Sequence, residues 1–250
     1  MREKPTQVLL FGSCLIDVLY PQAGMDAIAL LEREGIEVVF PQAQTCCGQP
    51  AFNAGYRDEA RKVARVQLDC LQGDAPVVVP SASCAAMMKH HYVELFRDQP
   101  EAEAAAQLAA RIVEFTEFLV DVLRIRLQDQ GPDIRVAVHS SCSARREMNV
   151  AVQIESLLEQ LAQVELVHQD HKAECCGFGG TFAVKQAEIS AAMVADKTAA
   201  LLRCEIDRYI TQDCGCMMNI DGALASQQAP LRGTHIATFL MERTGGNEDS

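Results

Sequence analysis

The sequence predicts an α/β protein built from two pseudo-repeated units, each with a parallel sheet and with cysteines converging at the carboxyl ends of the strands. Three observations carry this reading. Short apolar, β-branched runs alternate with longer segments of helical periodicity along the chain, which is the pattern of parallel strands joined by right-handed helical crossovers. The alternation runs through twice. Three cysteine-bearing elements also recur in the same order at nearly one step. VLLFGSC matches VAVHSSC, placing Cys14 and Cys142 128 residues apart (142 − 14). The two Cys-Cys-Gly elements are 129 apart (176 − 47), and PSASCAAMM matches DCGCMMNI at 132 (216 − 84). A solenoid would repeat at a shorter period.

The elements follow in order. Val8 to Phe11 is a short apolar run of buried-strand type, AIALLERE is helical, and IEVVF is a second strand. Residues 53–71 have helical spacing, and VVVP is a third strand. The second unit repeats this with RVAVH, the helical IESLLEQLAQ, VELVH, a helix over 184–204 and a weaker strand at RYIT. Between them, Leu108, Ile112, Phe115, Leu119 and Val122 recur at steps of four and three, predicting one amphipathic connecting helix stopped by Gly131-Pro132. The expected division is a first repeat at 1–100, the connecting helix at 101–131 and a second repeat at 132–244. The tail GGNEDS is expected to fray.

Composition narrows the function. The 250 residues can bury a substantial core without disulfide staples. With 22 basic and 34 acidic residues the net charge is −12, which repels a phosphate backbone and argues against nucleic acid as partner. MREKPTQVLLF runs directly into a strand, so no secretory signal is expected. No apolar run approaches the ~20 residues needed to span a bilayer. A cytoplasmic location is expected, where eleven cysteines point to metal or redox chemistry more than to disulfides.

Eight of those cysteines belong to the repeat: Cys14, Cys46, Cys47 and Cys84, then Cys142, Cys175, Cys176 and Cys216. Thiolates are soft ligands for iron–sulfur clusters, zinc or copper(I), and a four-iron cluster takes four of them. The glycine after each Cys-Cys pair allows left-handed dihedrals and a close approach of the backbone to a bulky group. Cys214 is a possible extra ligand in the second half. Cys70 and Cys204 continue apolar helical stripes and read as core. His90 and His91 follow Cys84 on a helical segment, and His139 precedes the Ser-Ser-Cys element beside the second site. Met87, Met88, Met217 and Met218 follow the last cysteine of each half and read as apolar lining. There is no ferredoxin-type Cys-x-x-Cys-x-x-Cys run and no G-x-G-x-x-G after a strand.

The twice-present pattern Cys, Cys-Cys-Gly, Cys resembles the duplicated cysteine-rich (CCG) domain family. That family includes the cysteine-rich component of heterodisulfide reductase, the iron–sulfur component of glycolate oxidase and the lactate-utilisation A proteins. FGSCLIDVLYPQAG, QTCCGQPAFNAGY, PSASCAAMMKHHY and CCGFGGTFAVK most resemble the last group. The resemblance covers about residues 7–240. It implies an iron–sulfur electron-transfer subunit of a cytoplasmic L-lactate dehydrogenase-type complex, oxidising L-lactate to pyruvate with two partner proteins, one of them also iron–sulfur. It also implies one cluster per repeat, 4Fe-4S or noncubane, held by the eight cysteines. The reductase relatives extend the last cysteine to Cys-x-x-Cys, whereas Met87 and Asn219 stand at those places here. That departure favours the four-iron form. The alternatives are a zinc-stabilised interaction protein and a heterodisulfide or thiol–disulfide reductase-like enzyme. No arginine and histidine set for a 2-hydroxy acid is visible, and no catalytic residue is assigned.

Overall fold

The computed structural model describes residues 4–245, so all of the expected frayed tail after Gly245 lies outside the described residues. Two four-stranded sheets organise the chain. The first contains β1 (Gln7–Leu10), β2 (Glu37–Val39), β3 (Val77–Val79) and β4 (Ile112–Glu114) in the order β2-β1-β3-β4. The second contains β5 (Ile134–His139), β6 (Val164–Leu166), β7 (Arg208–Thr211) and β8 (Gly233–His235) in the order β6-β5-β7-β8. Every pairing is parallel. The α/β fold with two repeated units is therefore as the alternation implied.

The central strands are continuous apolar runs because helices cover both faces. Val77, Val78 and Val79 are all fully buried. The helix Arg57–Cys70 lays Ala60, Ala64 and Gln67 inward. The helix Pro21–Arg33 starts on a proline, whose fixed φ suits the first turn.

Residues 101–131 differ from the single connecting helix expected. Ala102–Arg111 is helical, but Ile112–Glu114 leaves the helix and pairs with Val77–Val79 as β4. Helical structure resumes at Phe115 and runs to Leu123. The β-branched Ile112 and Val113 find sheet partners, and this outweighs the local periodicity. Glu114 secures the restart: its Oε2 accepts from Thr116 N at 2.7 Å and Glu117 N at 3.1 Å, and Glu117 reaches back to Glu114 N. β8 plays the matching part in the second half and was likewise not visible in the sequence.

The halves share one core. Val8, Leu10 and Val78 belong to the same buried cluster as Val136, Val138 and Ile210. The helices Pro21–Arg33 and Ile236–Arg243 pack on each other, and Arg33 donates to Thr244 Oγ1 at 2.9 Å. Among the described residues, no helix is long and apolar enough to cross a membrane.

Candidate metal centres

In each sheet the chain progresses one way from the first strand to the second and the other way through the third and fourth. Loops leaving the first and third strands therefore diverge and open a crevice at their carboxyl ends. Cys14 begins the helix after β1, Cys84 lies in the helix after β3, and Cys46 and Cys47 occupy the loop after β2. Cys142, Cys216, Cys175 and Cys176 hold the same places after β5, β7 and β6. Residues up to 70 positions apart in sequence thus meet within the first half (84 − 14).

The sulfurs meet in rows. Cys46 contacts Cys14 on one side and Cys47 on the other, and Cys47 contacts Cys84. Hydrogen bonds from Cys14 and Cys47 hold the Cys46 thiol well below its ordinary range, while the same bond and burial push Cys14 up. In the second half Cys142 contacts Cys175, and Cys176 contacts both Cys175 and Cys216. The contact with Cys175, then burial, pushes Cys142 up. The innermost pairs, Cys47 with Cys84 and Cys176 with Cys216, are buried, and the other four are half-buried. All eleven cysteines are free thiols.

Local backbone geometry aims these sulfurs. Gly48 and Gly177 have φ of 86° and 81°, which a side chain would strain. A Cβ on Gly177 would stand 2.8 Å from Ser190 O, and one on Gly48 3.3 Å from Ala60 O. Their amides donate to Cys46 Sγ and Cys175 Sγ, each at 3.4 Å, and Phe178 N donates to Cys176 Sγ at 3.5 Å. Such N–H groups stabilise negative charge on sulfur. Four soft donors per crevice, served by backbone N–H groups, fit an iron–sulfur cluster or a thiolate metal site.

The two crevices adjoin. Thr181 Oγ1 donates to Pro50 O at 3.4 Å, and an added Cβ on Gly180 would touch Pro50 at 3.3 Å, so the two Cys-Cys-Gly loops lean on each other. Behind them Asp213 Oδ1 accepts from Ser81 Oγ at 2.9 Å and from Ser83 N and Oγ at 3.0 and 2.6 Å. Asp213 is buried, which raises its carboxyl pKa against the opposing serine hydrogen bonds.

Several charged or polar groups here escaped the sequence reading. Lys197 is fully buried, donates to His171 O at 2.9 Å and is pushed down by burial. Its place on an otherwise apolar stripe with Val194 and Leu201 was the available signal. Gln67, fully buried, donates to Thr45 Oγ1 at 2.7 Å and Cys46 O at 3.2 Å, bracing the first loop. Glu114 is fully buried, with its carboxyl pushed up to about 8 by desolvation against three hydrogen bonds. His235 caps the helix after β8 through Ala237 N.

Of the other residues singled out, His90 is exposed, and His91 stacks on Phe52 with ring centroids 4.8 Å apart. His139 is fully buried, and its imidazole is driven down to about 3 by burial and by the charges of Lys197 and Arg145. Met87, Met88 and Met217 are core residues. Asn219 Nδ2 donates to Cys176 O at 2.8 Å, so it supports the second loop. Cys214 is buried, and burial first, then the charges of Asp213 and of Cys84 in the first set, push its thiol up, so it faces the first set and not only the second as expected. Neither Cys70 nor Cys204 joins a row: Cys70 bonds Gln67 of its own helix, and Cys204, in the turn just past the helix Ala187–Leu202 rather than inside the helix expected over 184–204, bonds Ala200 O.

Two adjoining thiol-lined crevices at the switch points of a duplicated fold define a cysteine-rich α/β protein suited to metal or iron–sulfur binding. The cysteine-rich domain profile, CCG, matches residues 8–89 and 136–221, and the chain belongs to that family. It is 44% identical over 240 residues to lactate utilization protein A of Geobacillus kaustophilus, covering 95% of this chain and 99% of the relative. It is 41% identical to the protein of the same name from Bacillus licheniformis, covering 95% and 100%. A crystal structure of a hypothetical protein from Helicobacter pylori superposes with a TM-score of 0.71 at 10% identity over 98% of this chain. That likeness is one of fold, and the chain spans half the length of that structure.

Proposed function

We propose that this chain is an iron–sulfur electron-transfer subunit in the oxidation of L-lactate to pyruvate. The observation that carries the reading is the convergence of eight repeated cysteines into two adjoining rows of four. The lactate-utilisation role comes from the relatives at 41–44% identity. Cys14, Cys46, Cys47 and Cys84 hold one 4Fe-4S cluster, and Cys142, Cys175, Cys176 and Cys216 hold another. A bound cluster supplies one-electron uptake and release. The protein's part is to hold the thiolates, direct the amides of Gly48 and Gly177 at sulfur, and keep water from the inner cysteines. The contact of Thr181 and Gly180 with Pro50 sets the two Cys-Cys-Gly loops side by side, which supports electron exchange between the two sets. The units at 1–100 and 132–244 each carry one set, and β4 from the segment between them completes the first sheet.

We assign the protein to the cytoplasm, acting with two other lactate-utilisation proteins, one of them iron–sulfur, that supply the lactate-binding chemistry. Anaerobic reconstitution tests the proposal. The protein should be brown, with iron and sulfide in near-equal amounts, and Cys47→Ser and Cys176→Ser should each remove one distinct paramagnetic signal. A colourless protein holding stoichiometric zinc would overturn it, and rapid turnover of a disulfide without partners would favour a reductase.

A further inference from the structure

The two halves are not chemically equal, and the difference gathers at the second row. Phe11 stands three residues before Cys14, and His139 stands three before Cys142. Both are fully buried. The first half thus places a hydrocarbon ring where the second places two nitrogens. Among the described residues, His139, Cys176 and Cys216 form a trio whose ligand atoms all lie within 4.8 Å of one another. Neither ring nitrogen of His139 has a hydrogen-bond partner. A buried imidazole leaves two polar atoms unsatisfied only at substantial cost, so this ring is aimed at something that accepts its lone pair or its proton.

A second difference accompanies the first. Gly48 packs on Ala60 and Gly177 on Ser190, 130 residues apart (190 − 60). The same offset sets Gln67 opposite Lys197 (197 − 67). Where the first half braces its loop with a neutral amide, the second buries a cation. Arg145 is a further cation on this side, with Nε donating to Ser140 O at 3.2 Å and one terminal nitrogen unpartnered.

We propose that His139 coordinates the metal centre of the second half through an imidazole nitrogen in place of one of the four thiolates assigned to it above, making it a mixed thiolate–imidazole site beside an all-thiolate first site. This rests on the iron–sulfur reading above. An imidazole that takes the place of one thiolate removes one negative charge from the centre and raises its potential, and Lys197 acts in the same direction. The second centre is therefore the more oxidising of the two, and electrons shared between the centres settle there.

The test uses anaerobically reconstituted protein labelled with 15N-histidine. Pulsed paramagnetic resonance of the reduced protein should show a 15N coupling on one of the two signals and none on the other. Redox titration should place the coupled signal at the higher potential. His139→Phe, which copies the first half, should abolish that coupling and lower that midpoint while the other signal stays. Should the variant not assemble, the labelled unsubstituted protein still decides. Two iron signals with no histidine nitrogen on either overturn the inference and leave the electron-transfer reading intact. Protein that takes up no iron at all overturns both, and iron analysis separates the two results.

Discussion

Glu114→Gln isolates a buried carboxyl that the fold holds far from its ordinary titration range. The Glu114 side chain is fully buried; its Oε2 accepts hydrogen bonds from Thr116 and Glu117, and its Oε1 has no partner. Its pKa is raised from 4.5 to about 8. The folded protein therefore keeps a proton that the unfolded chain has released, and stability falls as pH rises between those values. From pH 6 to pH 8 the loss from this group is about 2 kcal/mol. Glutamine copies the protonated carboxyl, keeping the acceptor and carrying no charge, so it removes the pH dependence while retaining the cap. At ~2–4 °C per kcal/mol for a chain of this size, the unsubstituted protein should lose about 4–8 °C more in Tm than Glu114→Gln between pH 6 and 8. Scanning calorimetry at equal metal loading measures this. Parallel Tm profiles for the two proteins would refute the buried-carboxyl argument, as would a variant less stable at pH 8 than at pH 6 by the same margin.

Two further substitutions probe the parts that position the site. Asp213→Ala should cost about 3 kcal/mol, because Ser81 and Ser83 lose their shared acceptor and unsatisfied donors cost ~1–3 kcal/mol each. Asp213→Asn keeps that acceptor and should stay within about 1 kcal/mol of the parent in urea unfolding, and an equal loss in both would show that charge, not hydrogen bonding, joins the halves. Gly177→Ala meets Ser190 O at 2.8 Å as well as a positive φ, whereas Gly35→Ala meets only the φ of 74° with open space around it. Both should cost ~1–2 kcal/mol in backbone strain, but only Gly177→Ala should also lose iron per chain and expose Cys175 and Cys176 to a thiol reagent.

The duplication, the α/β class and the eight repeated cysteines were legible in the chain alone. Each follows from local order: strand-like runs, helical spacing and residues recurring at one step. The rest depends on pairing between distant segments, which no local pattern records. Ile112–Glu114 has helical spacing and became strand only because Val77–Val79 offered an open edge. Lys197 and Asp213 carry no motif, and their roles arise from burial against loops that hold Cys175 and Ser81. His139 was legible as a residue near a cysteine, but its two bare nitrogens beside Cys176 and Cys216 exist only where β5, β6 and β7 bring their carboxyl ends together.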